Sequence, residues 1–92
     1  MMQIVHDSQA RRFVAELATG TAILAYVPAG EGLLELYSTY VPMSGRGKGV
    51  AGQLVEAALE YARGEGLRVI PTCWYVGHWI DQHPEHQDLV GA

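Results

Sequence analysis

Pro42-Met43-Ser44-Gly45-Arg46-Gly47-Lys48-Gly49-Val50-Ala51-Gly52 divides the chain into two halves with different hydrophobic periods. Before it, apolar and β-branched residues come in short runs. After it, Val50, Leu54, Val55, Ala58, Leu59, Tyr61 and Ala62 recur at three- and four-residue steps, which predicts an amphipathic helix. The segment is therefore a glycine-rich connection from a strand into a helix. Glycines let the backbone turn tightly and gather several N–H groups at one point. The first turn of the helix adds unpaired N–H donors and the positive end of the helix dipole. Together they make an anion site, best suited to phosphate. No Asp or Glu occurs between Glu35 and Glu56, whereas Arg46 and Lys48 both lie there. A first helical turn normally attracts acidic residues, and a bound anion in that place would exclude them.

Working outward, Arg12 to Leu17 predicts a strand that ends at the turn signal Thr19-Gly20. Thr21 to Val27 predicts a second strand, closed by Pro28-Ala29-Gly30-Glu31-Gly32. Leu33 to Val41 predicts a third, stopped by Pro42. Short connections make these three an antiparallel meander. Beyond the helix, Gly64 and Gly66 mark its end, and Leu67 to Ile70 predicts a short buried strand. Cys73 to Gln82 predicts a second helix, which Pro84 keeps from running through His83. The expected order is β-β-β-α-β-α, an α+β mixed sheet with helices packed on it, as one domain over residues 1–92.

Composition narrows the function. The 92 residues are 49% apolar and 17% charged, with net charge −4. That balance excludes intrinsic disorder. Six Lys and Arg residues leave no basic footprint for nucleic acid. One cysteine makes no internal disulfide and points to a reducing, cytoplasmic setting. No run of about 18 apolar residues exists to span a membrane. Met1 to Asp7 lacks the basic start and long apolar stretch of a signal peptide.

Which phosphate compound the loop holds depends on its context. Gly47-x-Gly49-x-x-Gly52 matches the dinucleotide fingerprint in form. The following strand, however, runs into Ile70-Pro71-Thr72-Cys73, without the acid that would bind a ribose hydroxyl. A nucleotide P-loop also fails, because Gly49 follows Lys48 where Ser or Thr should hold magnesium.

Arg46-Gly47-Lys48-Gly49-Val50-Ala51 resembles the [RQ]-x-x-G-x-[GA] loop of the GNAT acyltransferase superfamily. The chain is similar to a short, minimal branch of that superfamily, in which the helix is followed by P-x-C, aromatic residues and His-Pro-Glu. Here these are Pro71-Thr72-Cys73, Trp74-Tyr75 and His83-Pro84-Glu85. The resemblance spans roughly residues 12 to 90. It implies a GNAT-like fold and acetyl-CoA as acetyl donor, with pyrophosphate held by Arg46, Gly47, Lys48, Gly49, Val50 and Ala51. It also implies that the strand carrying Thr39 and Val41 aligns the pantetheine arm and thioester through its backbone. The branch usually carries His-Thr-Glu-Val-Pro before the loop. This chain has Ser38-Thr39-Tyr40-Val41-Pro42, so the usual His and Glu are replaced.

Acetyl transfer needs a positioned acceptor, donors for the developing oxyanion and a proton for the departing thiolate. Val69 to Ile80 has no Asp, Glu, Lys or Arg but holds Cys73, Trp74, Tyr75, His78 and Trp79. Cys73 sits where a strand passes into a helix, a position that favours thiolate. It is placed either to attack a thioester, to protonate the leaving sulfur, or simply to pack as a small hydrophobe. The resemblance favours a catalytic role for Cys73, with Tyr75 as the alternative proton donor. His78, His83 and His86 fit no standard zinc spacing, so no metal is expected. His78 is a candidate base if it faces the cleft. Trp74 and Trp79 are five apart, so one should pack inward and the other flank a cleft. The sequence thus supports an N-acetyltransferase acting on an amine of a small molecule or protein. The alternative is a coenzyme A-binding module without catalysis.

Overall fold

The computed structural model describes residues 3–91. Five strands form one sheet in the order β1 (Ile4–Asp7), β2 (Arg12–Leu17), β3 (Gly20–Pro28), β4 (Leu33–Tyr40) and β5 (Arg68–Ile70). The first four pair antiparallel, as short turns require, and β5 joins β4 in parallel. The crossover from β4 to β5 carries a 3-10 turn (Met43–Gly45) and the helix α1 (Val50–Gly64). The helix α2 (Trp74–Asp81) and a 3-10 turn (Pro84–Leu89) follow β5.

Alternation builds the core. Phe13 and Ala15 of β2, Ala22, Leu24 and Tyr26 of β3, and Leu34 and Leu36 of β4 are all buried. Their period of two puts them on one face of the sheet. Against that face α1 lays Leu54, Val55, Ala58, Leu59 and Ala62, its predicted apolar stripe. Val76 and Ile80 of α2 complete the same core.

One irregularity decides what β4 presents near its end. Tyr26 faces Leu36, but Ala25 faces Ser38, so the register slips and Tyr37 is the extra residue. Such a bulge reverses which residues point inward. Before it the even positions, Leu34 and Leu36, are buried. After it Thr39 is half-buried and Val41 buried, whereas Ser38 and Tyr40 are exposed.

The α+β class and the expected order of elements hold, with two additions. The strand β1 was not predicted. It is short and ends in His6-Asp7, and it exists by pairing with β2, Ile4 against Ala15 and His6 against Phe13. The 3-10 turn at Pro84–Leu89 was also not predicted. Element ends move by a residue or so. β4 stops at Tyr40, because Val41 and Pro42 lead into the 3-10 turn, and α2 starts at Trp74 with Cys73 as its N-cap.

Candidate functional site

The glycine-rich segment forms the entry to α1. Gly47 and Gly49 have φ of 80° and 79°, the left-handed region that side chains with a Cβ adopt rarely. A Cβ on either would meet nothing within 4 Å, so the loop turns its bare backbone outward. Gly49 is the N-cap of α1, no side chain caps the helix, and its first turn carries no acid. The first intrahelical bond runs from the Gln53 N–H to the Gly49 carbonyl at 3.1 Å. The N–H groups of Val50, Ala51 and Gly52 are thus left without intrahelical acceptors. Arg46 is braced across the loop, its Nε donating to the Val41 carbonyl at 3.0 Å. A backbone cradle and fixed cation at a helix start suit a diphosphate.

A cleft of 390 Å³ opens over this cradle, lined by Val41, Arg46, Gly47, Gly49, Val50 and Tyr75 among others. It continues into one of 520 Å³ that adds Thr39, Tyr40, Cys73 and Trp74. Val41, Arg46, Ala51 and Tyr75 line both, so loop, strand end and α2 border one trough. Lys48 lies elsewhere. With Leu17, Thr19 and Ser44 it borders an adjoining recess of 240 Å³ behind the loop, which shares Gly45 and Val50 with the cleft. There the hydroxyls of Thr19 and Ser44 bond to each other and tie the β2–β3 turn to the loop.

Cys73 stands at the other end of the trough. Its N–H donates to the Leu36 carbonyl at 3.0 Å, which holds the segment after β5 against β4. Its sulfur lies 3.5 Å from Thr39 Oγ1. Burial pushes the thiol pKa up. The Thr39 hydroxyl and the nearby N–H groups of Val76, Tyr75 and Thr39 favour the anion and outweigh that, leaving the pKa below its ordinary value. The thiol forms no cap hydrogen bond in the strict sense; the first-turn amides act on its charge. Tyr75 differs, because burial raises its pKa and keeps the phenol protonated. Two groups that share one cleft are therefore shifted in opposite directions, one toward anion and the other toward acid.

The aromatic residues of α2 divide as their spacing predicts. Trp79 packs inward and Trp74, 76% exposed, stands at the cleft. His78 is exposed, its ring 6.0 Å from that of Trp74. The Thr39–Cys73 contact joins residues 34 apart and left no signal in the sequence. Gly52, the third glycine of the fingerprint-like pattern, has a packing reason. A Cβ there would lie 3.0 Å from Trp79 Nε1 and 3.6 Å from the Tyr75 hydroxyl.

In fold the chain is similar to a GCN5-like protein of Staphylococcus aureus whose solution structure was determined by NMR. The TM-score is 0.73 at 20% identity, over 98% of this chain and 88% of that one. The architecture is thus the GCN5-like fold. The sequence pattern of the GCN5-related N-acetyl-transferase family matches residues 12–89, and the chain belongs to that family. Protein NATD1 of Gallus gallus is 34% identical over 90 residues, which cover 96% of this chain and 82% of that protein. Protein NATD1 of Homo sapiens is 33% identical over 90 residues, covering 96% and 80%. By family the chain is an acetyltransferase. Among the described residues, no helix is long and apolar enough to cross a membrane.

Proposed function

We propose that residues 1–92 work as one domain, in the cytoplasm, that transfers an acetyl group from acetyl-CoA to an amine. The observation that carries this reading is the pairing of a bare glycine cradle at Gly47–Gly49 with a cleft that runs on to Cys73 and Tyr75. Arg46, Gly47, Gly49, Val50 and Ala51 would hold the pyrophosphate, mostly through backbone N–H groups. Lys48, facing the recess behind the loop, adds its charge from a distance. Bound acetyl-CoA would supply a thioester, an activated acetyl group. Thr39 and Val41, turned inward by the bulge, border the cleft between cradle and thiol. Tyr75 holds a proton in position for a departing sulfur. Cys73, whose pKa is lowered, offers a thiolate as nucleophile.

Calorimetry with acetyl-CoA and with coenzyme A tests the reading. Micromolar affinity is expected, weakening with salt because the ligand is polyanionic. Gly49→Val should lower affinity on the order of tenfold or more, since a β-branched residue resists φ near 79° and screens the amides. Lys48→Ala should change it by less than about threefold. An absence of heat and of thermal shift with millimolar acetyl-CoA refutes the proposal. A second reading, a coenzyme A-binding module without catalysis, is favoured by the Ser38 and Tyr40 replacements. It predicts the same binding but no acetylated amine in the presence of mixed amines.

A further inference from the structure

His83-Pro84-Glu85 lies outside the cleft, yet its histidine is fixed in place. The His83 ring stacks face to face on Trp79, with centroids 3.6 Å apart and planes 9° from parallel. Its Nδ1 lies 2.7 Å from the Trp79 carbonyl. A carbonyl only accepts, so Nδ1 carries the proton and His83 caps the end of α2. Pro84 keeps the preceding residue out of the helical region. His83 accordingly has φ −130° and ψ 77°, which stops the helix and swings the ring back onto the indole. The ring of His86, 6% exposed, lies 5.6 Å from Trp79 and is tilted 32° from it. One imidazole stacks on the indole and a second packs nearby.

The stacked indole presses on α1 where only a glycine gives it room. Its Nε1 lies 3.0 Å from the place a Cβ of Gly52 would take. Tyr75 precedes Trp79 by four residues and shares its helix face. Its hydroxyl comes within 3.6 Å of the same point. Gly52 directly follows Ala51, which lines the cleft from cradle to thiol. The Trp79 indole and the Tyr75 hydroxyl, one turn apart on α2, thus converge on the same glycine.

We propose that His83 is a positioning residue for acetyl transfer: by clamping Trp79 onto Gly52 it fixes the Tyr75 hydroxyl at the cleft. The inference rests on the reading of Tyr75 as proton donor, and it gives the His-Pro-Glu segment a role in the reaction without contact to either substrate. His83 acts through geometry, so its loss should lower the transfer rate and leave acetyl-CoA affinity intact, because the cradle is built from other residues. Misplacement of a reacting group by a fraction of an ångström to an ångström costs roughly tenfold to a hundredfold in rate.

The test is a double-mutant cycle on the full chain, with acetyl-CoA as donor, benzylamine as acceptor and coenzyme A release followed with a thiol reagent. A ¹³C-tyrosine titration of the same variants reads the Tyr75 phenol independently of activity. His83→Ala is expected to lower kcat about tenfold with the acetyl-CoA dissociation constant unchanged. It should also let water reach Tyr75 and move its titration toward the ordinary tyrosine value. His83→Phe, which keeps the stack, should recover most of both. His83→Ala added to Tyr75→Phe should cost nothing beyond Tyr75→Phe alone, since a residue that acts only through Tyr75 has nothing left to position. Additive losses, or an unmoved Tyr75 titration in His83→Ala, overturn the positioning role and leave the proposed function standing. Wild-type transfer by Tyr75→Phe removes the proton-donor role and this inference with it. Failure of the wild type to bind acetyl-CoA overturns both.

Discussion

Two aromatic groups of similar make-up occupy this molecule and do opposite things. Beside the far half of α1, His6, Phe13, Tyr26 and Tyr61 close on one another. His6 stacks on Phe13 at 4.2 Å and meets the edge of Tyr61 at 4.4 Å. Its Nε2 lies 2.5 Å from the Tyr26 hydroxyl. Phe13 is 3% exposed, and burial and the neighbouring Tyr61 push the Tyr26 phenol above its ordinary pKa. The His6–Tyr26 hydrogen bond ties two of these rings to each other across the sheet. Around α2, Trp74 and Tyr75 border a cleft with rings 6.0 Å apart, the ring of His78 lies 6.0 Å from Trp74, and Trp74 is largely in solvent. The composition of an aromatic cluster therefore says little about its role. What separates core from site is whether the rings satisfy each other or are left facing open space.

The sharpest way to break this contrast is a pair of truncations. Phe13→Ala should cost about 3–5 kcal/mol in urea unfolding, as large-to-small changes in a packed core do. Trp74→Ala should stay within about 0.5 kcal/mol, as an exposed substitution does. A large loss for Trp74→Ala would place it in the core and dissolve the distinction. Next in size is the interhelical seat. Gly52→Ala should destabilise by about 1 kcal/mol, because Trp79 is held by His83 and cannot retreat. Gly64→Ala, with nothing within 4 Å, should instead gain about 0.5 kcal/mol. Thermal melts that move in the same direction for both would contradict the packing assigned to Gly52.

Reactivity gives a subtler measure. Alkylation of Cys73 by iodoacetamide should rise with pH around a midpoint below that of an ordinary thiol. Thr39→Val should raise that midpoint, since it removes a hydroxyl that favours the anion. The sign for stability follows. A depressed folded pKa contributes fully above the unfolded thiol pKa and is lost as pH falls through the folded value. Cys73→Ala should therefore forfeit relatively more stability in alkali than at neutral pH. An unshifted midpoint would return Cys73 to the ordinary packed thiols. The smallest effect belongs to the exposed pair of Arg63 with Asp88, whose bonds are 2.9 Å and 3.0 Å. A hydrogen bond from Arg63 holds the Asp88 pKa down, so the pair contributes above the unfolded carboxylate pKa and fades as pH falls through the folded one. Asp88→Asn should lower the thermal midpoint slightly, by less at high salt, and should leave acetyl-CoA binding untouched.

The sequence by itself determined the features that depend on neighbours along the chain. The meander follows from strands joined by short turns, α1 from its three- and four-residue steps, and the cradle from glycines placed before an acid-free helix start. Each is a local property, so a few consecutive residues suffice to specify it. The tertiary structure alone decided what faces what. Strict alternation would have turned Ser38 and Tyr40 of β4 inward, and one bulge paired across to β3 turned Thr39 and Val41 inward instead. Lys48 looked equivalent to Arg46 in the loop, yet only Arg46 borders the cleft, because its guanidinium is braced on Val41 while Lys48 faces the recess beside Thr19 and Ser44. β1 exists because β2 offers it an edge, and the packing of His83 and His86 against Trp79 forms only when the chain folds back at Pro84. Thr39 meets Cys73 because parallel pairing brings the end of β5 alongside β4. Contacts of that kind join residues far apart in the chain, and their partners are fixed by the packing of the whole core, which no short stretch of sequence encodes.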